Sequence, residues 1–392
     1  MDSNKTSFYM RHVFIFAFAV FLSLMAFAAE PEQVLSELKS KVAPDKRTAV
    51  WDVRAETQDG KTVILGTVGT STQRDVINNV LRMNDITDYD NRVIVLEQTL
   101  PESHRNALVK LAVATLRTEP KHSAEVATQA IMGTPLRVLE QSGEWLRVQM
   151  PDDYIAYIPE SSVTLLNRRG LEWWQDSRRY IVTCQSCRLL LLPESELQIS
   201  DLVLGNILQF RAQKDNWICL ITPDGREGWV KADAVAEFSQ WAQQRQDVDL
   251  IEKTARDMLG CGYLWGGTST KVTDCSGLMK VAYFANAIIL QRDASQQALT
   301  GVKVPDWKQA QRGDLLFFGN ASTGRVTHVG MYLADGKYIH CSGQVKINSL
   351  DPEAPDYLYS PLSISRILGN VGSKGIKSVR NHSWYFIPRI DR

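Results

Sequence analysis

Short runs of alternating apolar and polar residues, broken by Gly, Pro and Asp, fill the middle of the chain. In a strand, successive side chains face opposite sides, so such runs predict sheets with one buried face. The runs also repeat. Trp145-Leu-Arg-Val-Gln-Met-Pro-Asp-Asp153 lines up with Trp217-Ile-Cys-Leu-Ile-Thr-Pro-Asp-Gly225, setting Trp145, Pro151, Asp152 and Tyr157 72 residues ahead of Trp217, Pro223, Asp224 and Trp229. Gly133, Leu136 and Val138 keep the same offset to Gly205, Leu208 and Phe210. Two copies of one small unit are expected, over residues 108–165 and 177–237. Each reads as an antiparallel barrel of about five strands.

Other patterns flank the repeat. Upstream, Val50 to Glu56, an Asp59-Gly60 turn, Thr62 to Val68 and a helical run from Arg74 to Met83 predict a small α/β unit within residues 30–107. Downstream, Ile251 to Leu259 has a helical period, and Leu278, Val281, Ala282, Ala285, Ile288 and Ile289 fall on one helix face. Val326-Thr-His-Val-Gly-Met-Tyr-Leu333 alternates instead, with His328 and Tyr332 on the face opposite Val329, Met331 and Leu333. Lys337-Tyr-Ile-His-Cys341 follows as the next strand.

The register of this hairpin decides whether His328 and His340 can cooperate. A two-residue loop points them to opposite faces. A three-residue loop, Ala334-Asp335-Gly336 with Gly336 left-handed as a bulge, pairs Leu333 with Lys337 and sets His340 across from Gly330, diagonal to His328. Diagonal neighbours lie about 7–8 Å apart at the backbone, within reach of two imidazoles.

Composition narrows the class. Lys5, Arg11 and His12 precede an apolar run from Val13 to Ala26 and a small-x-small site at Ala26-Phe27-Ala28, so residues 1–28 read as a secretory signal peptide. The run is short of the roughly 20 residues of a membrane span. An exported chain, periplasmic or secreted and without stable membrane insertion, is therefore expected. The 44 basic residues balance 44 acidic ones, which argues against a nucleic-acid partner. Six cysteines are too few for a disulfide scaffold in a chain of this length. Cys184-x-x-Cys187 reads as a strand-end disulfide or two small packed side chains in preference to a redox or zinc pair, because no second pair supplies further ligands.

The chemistry concentrates after residue 245. Cys275 stands where a helix begins, with Asp274 available as its cap. Aligned peptide dipoles and free N–H groups there favour the thiolate, the species that attacks an acyl carbon. Of six histidines, His12 leaves with the signal peptide and His104 and His122 belong to the upstream half, leaving His328, His340 and His382. A lone cysteine is most often inert packing, and a strand histidine most often a polar surface residue. A cysteine at a helix start together with a histidine pair on a following hairpin points instead to a nucleophile, its base and an orienting group. No metal or organic cofactor is implied, since no acidic cluster accompanies the histidines.

Tyr263-x-Trp265-Gly-Gly267, Asp274-Cys-Ser-Gly277, Gly313-Asp-Leu-Leu-Phe-Phe318, His328-Val-Gly-x-Tyr332 and Tyr338-Ile-His340 occur in this order within residues 245–388. In this the chain resembles the NlpC/P60 cysteine peptidases, and its two barrels resemble bacterial SH3 (SH3b) domains. The resemblance implies a multidomain chain: a small N-terminal α/β unit, two SH3b-like barrels and an α+β papain-like domain. It further implies Cys275 as nucleophile, His328 as general base and acid, His340 as the orienting residue and Tyr263 as a group positioning the reacting carbonyl. The backbone N–H of Cys275 is implied as an oxyanion donor. Gly262 stands where the family often has Pro, which bears on the rigidity of that loop.

Members with tandem SH3b domains cut the bond between γ-D-glutamate and a diamino acid in peptidoglycan-derived peptides that begin with free L-alanine. By similarity, Asp274 and Ser276, with Glu125 and Tyr154 from the first barrel, bind that ammonium group, and Arg292 holds a substrate carboxylate. Two other readings use the same residues: a wall-binding SH3b protein with an inactive last domain, and a papain-like amidase or acyltransferase.

Overall fold

A computed structural model describes residues 30–387, and the expected signal peptide lies outside them. The chain opens with α1 (Pro31–Val42), the hairpin β1 (Trp51–Gln58) and β2 (Lys61–Val68), and α2 (Ser71–Met83). Two short strands, β3 (Tyr89–Asn91) and β4 (Ile94–Val95), lie parallel to β2. Leu35, Leu38, Ile77 and Leu81 from the helices cover Ile64 and Val68 of the sheet. Each such fully buried aliphatic side chain is worth about 1.5–3 kcal/mol over exposure.

Two seven-stranded antiparallel sheets follow. The first comprises β5 (Asn106–Val109), β6 (Val113–Arg117), β7 (Val126–Ile131), β8 (Pro135–Ser142), β9 (Trp145–Gln149), β10 (Ile155–Pro159) and β11 (Val163–Leu166). Its order is β11-β5-β8-β9-β10-β6-β7. After α3 (Arg168–Asp176), the second comprises β12 (Arg179–Val182), β13 (Ser186–Leu190), β14 (Gln198–Val203), β15 (Ile207–Lys214), β16 (Trp217–Ile221), β17 (Glu227–Lys231) and β18 (Val235–Glu237). Its order, β18-β12-β15-β16-β17-β13-β14, is the same path strand for strand. Even the register slips coincide, between Val138 and Glu140 in one sheet and Phe210 and Ala212 in the other. Seven strands form instead of five because the runs flanking the repeat pair as well: β11 joins β5, and β5 joins β8.

The last part of the chain sets α4 (Val248–Arg256) and α5 (Cys275–Phe284) against a sheet. Before that sheet come β19 (Ile288–Leu290) and α6 (Ala294–Gln297). The sheet itself is built from β20 (Val302–Val304), β21 (Leu315–Asn320), β22 (Arg325–Tyr332), β23 (Lys337–Ser342), β24 (Gln344–Ser349) and β25 (Ser363–Arg366). The order is β20-β25-β21-β22-β23-β24. Ile251, Ala255, Leu278 and Ala282 of the helices meet Leu315, Phe317, Val329 and Met331 of the sheet in one core. The single helical face expected through Ile289 is corrected here. Helix α5 stops at Phe284, Ala287 turns to φ 57°, and Ile288–Leu290 becomes β19, paired with β26 (Ile376–Ser378). The apolar spacing fits both a helix and a buried strand, and pairing with a distant segment decided between them.

The β22–β23 hairpin has the register expected from a three-residue loop: Gly330 faces His340, and the Leu333 N–H donates to the Lys337 carbonyl at 2.9 Å. The turn differs in detail. Asp335 and Gly336 both have positive φ, 51° and 69°, and the Lys337 N–H donates to the Ala334 carbonyl at 2.8 Å. This is a type I′ turn with the extra residue at Ala334.

Candidate active site

Helix α5 begins at Cys275 because Asp274 supplies a cap. Its carboxylate accepts the N–H of Gly277 at 2.7 Å and that of Gly266 at 2.9 Å, tying the preceding loop to the helix start. Gly277 is demanded by crowding, since a β-carbon there would lie 2.0 Å from the Gly267 carbonyl oxygen. Cys275 is thus the first helical residue, 6% exposed, with the backbone N–H groups of Val329 and Ser276 directed at its sulfur. The expected thiolate is corrected, however. Burial and the neighbouring Asp274 charge push the thiol up to about 11, outweighing those N–H groups.

Strand β22 brings His328 to the same place, one residue from Val329. Its Nε2 lies 2.7 Å from His340 Nδ1, and His340 Nε2 lies 2.8 Å from Asn348 Oδ1. The amide of Asn348 is oriented by donating its Nδ2–H to the Asp356 carbonyl. From that anchor the protons can be assigned in sequence. Asn348 Oδ1 accepts from His340 Nε2–H, so His340 Nδ1 is an acceptor. His328 therefore donates from Nε2, and its Nδ1 keeps a lone pair. Burial and the adjacent His340 push His328 down to about 4, so the ring rests neutral near pH 7. His340 is fully buried and lowered by the same desolvation.

Two tyrosines edge the sulfur. Tyr263 is pushed up to about 12 by burial and by the nearby Cys275 and Asp274, which keeps its hydroxyl a proton donor. Tyr359 packs edge-on to His328 with ring centroids 6.4 Å apart, and its pKa is raised by burial and by Cys275.

The expected binding residues fall into two groups. Asp274, Ser276 and Arg292 form one buried cluster: Arg292 donates to Asp274 at 2.5 Å, to Ser276 Oγ at 2.9 Å and to Thr128 Oγ1 of β7 at 2.9 Å. With a side chain 1% exposed, Arg292 is directed at Asp274 and not at open space for a substrate carboxylate. The reason is electrostatic, because a carboxylate buried at the nucleophile's cap demands a cation. The other group lies at the domain boundary. Tyr154 donates to Asp293 at 3.2 Å, and Arg47, from the segment between α1 and β1, donates to the same carboxylate oxygen at 2.8 Å. Glu125 is exposed and accepts from the Trp265 indole N–H at 2.6 Å.

Sequence reasoning missed Asn348, Tyr359, Thr128, Asp293 and Arg47. Only Asn348 left a signal, since a buried neutral histidine must donate to some acceptor. Among the described residues, no group of three or more His, Cys, Asp or Glu is arranged to hold a metal ion, and no helix is long and apolar enough to cross a membrane.

Comparison with known proteins bears on the family and the fold. The NlpC/P60 family matches residues 260–360, and the bacterial dipeptidyl-peptidase Sh3 domain matches residues 116–163. Dipeptidyl-peptidase 6 of Lysinibacillus sphaericus is 28% identical over 266 residues, covering 64% of this chain and 94% of that protein. The gamma-D-glutamyl-L-lysine dipeptidyl-peptidase of Bacillus cereus is 29% identical over 227 residues, 55% of this chain and 67% of its own. A crystal structure of an NlpC/P60 family protein from Bacillus cereus superposes with TM-score 0.60 at 23% identity, covering 67% of this chain and 99% of that one, a likeness of fold.

Proposed function

The chain is an NlpC/P60 cysteine peptidase with a bacterial SH3 domain ahead of the catalytic one, and on that premise we propose that it cuts the γ-D-glutamyl-diamino acid bond of peptidoglycan stem peptides. In this reading the substrates are short peptides beginning with free L-alanine, met after export. The observation that carries the catalytic part is the His328–His340–Asn348 chain, which leaves His328 Nδ1 with its lone pair, on the strand whose next residue, Val329, turns its backbone N–H toward the Cys275 sulfur. The bond assignment is supported by the name of the Bacillus cereus relative, and release of a dipeptide by that of the Lysinibacillus relative.

Thiol and imidazole rest neutral, so the proton moves as the substrate arrives. His328 Nδ1 takes the Cys275 proton while the sulfur bonds to the γ-carbonyl carbon. The oxyanion is met by the Cys275 N–H, which has no intrahelical acceptor at the first helical position, and by the Tyr263 hydroxyl. The imidazolium, held by His340, returns its proton to the leaving amine, and the C–N bond breaks. Water, activated by the same ring, then releases the dipeptide from the sulfur. The substrate ammonium group is assigned to Asp274, Ser276, Glu125 and Tyr154. Because Arg292 already balances Asp274, we add Asp293 as a further source of the required negative charge: its cation, Arg47, is shared with Asp45, so two carboxylates face one guanidinium.

The test is mass spectrometry of products from L-Ala-γ-D-Glu-diaminopimelate. Cys275→Ala should stay folded and lose activity on the order of a thousandfold or more; retained release of L-Ala-D-Glu sinks the reading. The N-acetylated peptide should be cut poorly, and equal cleavage would remove the amine subsite. Since the thiol sits near 11 and His328 near 4, iodoacetamide inactivation should keep rising with pH above neutrality. A preformed thiolate–imidazolium pair would instead give a rate that is flat there.

A further inference from the structure

The loop that delivers the nucleophile, residues 268–273, is held from several sides. Thr268 N–H and Ser269 Oγ donate to Gln129 Oε1 of β7 at 2.9 and 3.0 Å. Cys341 donates to the Thr273 carbonyl at 3.4 Å, and Lys271 pairs with Asp201 of β14 at 3.2 Å. Between these contacts, the Thr270 hydroxyl donates to the Gln185 carbonyl at 2.6 Å. Gln185 belongs to the connection from β12 to β13, and it stands between Cys184 and Cys187.

Both cysteines are half-buried and pack at the margin of one core, with Leu189, Leu202 and Val182. Cys187 sits opposite Leu202 in the β13–β14 register. The two side chains flank the bend that opens β13, three residues apart and against one core, and their mutual influence draws Cys184 down to about 7 and, with burial, drives Cys187 up. A metal would need further donors, and among the described residues none gather here.

We propose that Cys184 and Cys187 are an oxidation site, closing to a disulfide that braces the nucleophile loop through the Gln185 carbonyl. The oxidant is a small or protein disulfide. The Cys184 thiolate attacks one of its sulfurs and expels a thiolate. Cys187 then gives up its proton and attacks the Cys184 sulfur of the mixed disulfide, expelling the second thiolate. Two electrons and two protons pass to the oxidant, which ends as two thiols. The bridge encloses so short a segment that its effect on the unfolded chain is small. Its action is local, on the backbone that positions Gln185, and it stands whatever peptide the enzyme cuts.

The full chain, equilibrated with oxidised glutathione near pH 8, is denatured, alkylated with N-ethylmaleimide and mapped by mass spectrometry. The expected result is a peptide containing Cys184 and Cys187 that is two hydrogens lighter and unalkylated, while Cys275 is alkylated. Recovery of both thiols as alkylated species overturns the site. Hydrogen exchange across residues 268–273 then tests the brace. Reduction of the wild type, and Cys184→Ser with Cys187→Ser, should each speed it by about tenfold. Unchanged exchange in the reduced protein overturns the bracing role, whether or not the variant folds.

Discussion

The two seven-stranded sheets follow one path and carry their register slip at equivalent positions, yet they stand in different relations to the catalytic domain. In the first, Asp152 reaches into helix α5 and pairs with Lys280 at 2.6 Å, the two side chains 2% and 11% exposed. Its counterpart 72 residues on, Asp224, pairs with Arg226 of its own turn. Tyr154 of the first sheet donates to Asp293, whereas the equivalent Arg226 donates to carbonyls at Ile199 and Lys110. Gln129 and Asp201 are equivalent as well, and both grip the nucleophile loop, one from a buried position and one across an exposed ion pair. A shared topology thus sets which positions face the neighbour, and the side chain at each position sets what that contact is worth.

That contrast can be broken at matched positions. The largest difference is expected between Asp152→Ala and Asp224→Ala. The first strands the buried Lys280 charge and should cost about 3–5 kcal/mol in urea unfolding. The second removes a partly exposed pair and should cost about 1 kcal/mol or less. Equal losses would mean the two sheets are docked alike.

Next come Gln129→Ala and Asp201→Ala. Loss of the shared acceptor leaves Thr268 N–H and Ser269 Oγ without their partner in a buried site, worth about 1–3 kcal/mol. Loss of the exposed Lys271 pair should cost at most about 1 kcal/mol. Unfolding midpoints rank the two, and the reverse order would sink the burial argument.

The smallest effect is expected from Tyr154→Phe against Arg226→Ala, read by kinetics. Tyr154→Phe should raise KM for the free-amine peptide by about threefold to tenfold at nearly unchanged kcat, as loss of one polar contact implies. Arg226→Ala should leave both constants alone. A matching rise in the second variant would show that the effect is structural.

Acid stability sharpens the picture of the site itself. His328 has a folded pKa near 4, below its ordinary 6.5, so over that interval the unfolded chain binds more protons. Stability should therefore fall as pH drops from about 6.5 to about 4, and His328→Gln should flatten that slope in unfolding curves recorded across it.

Much of this molecule was written in local sequence. The 72-residue echo fixed two copies of one sheet unit, because alternation and turn residues act over a few neighbours. Asp274 before an apolar run located the helix start, and Ala-Asp-Gly held the histidine register, since both are governed by hydrogen bonds within one turn. What neighbours alone could not decide came from contacts across the chain. The fate of Ile288 and Ile289 depended on a strand near residue 376, Arg292 was claimed by the charge of Asp274, and His340 found its acceptor in Asn348. The thiol follows the same rule. The helix end favours its ionisation, but desolvation grows with everything packed around the sulfur, and that enclosure exists only once α5 has packed on the sheet.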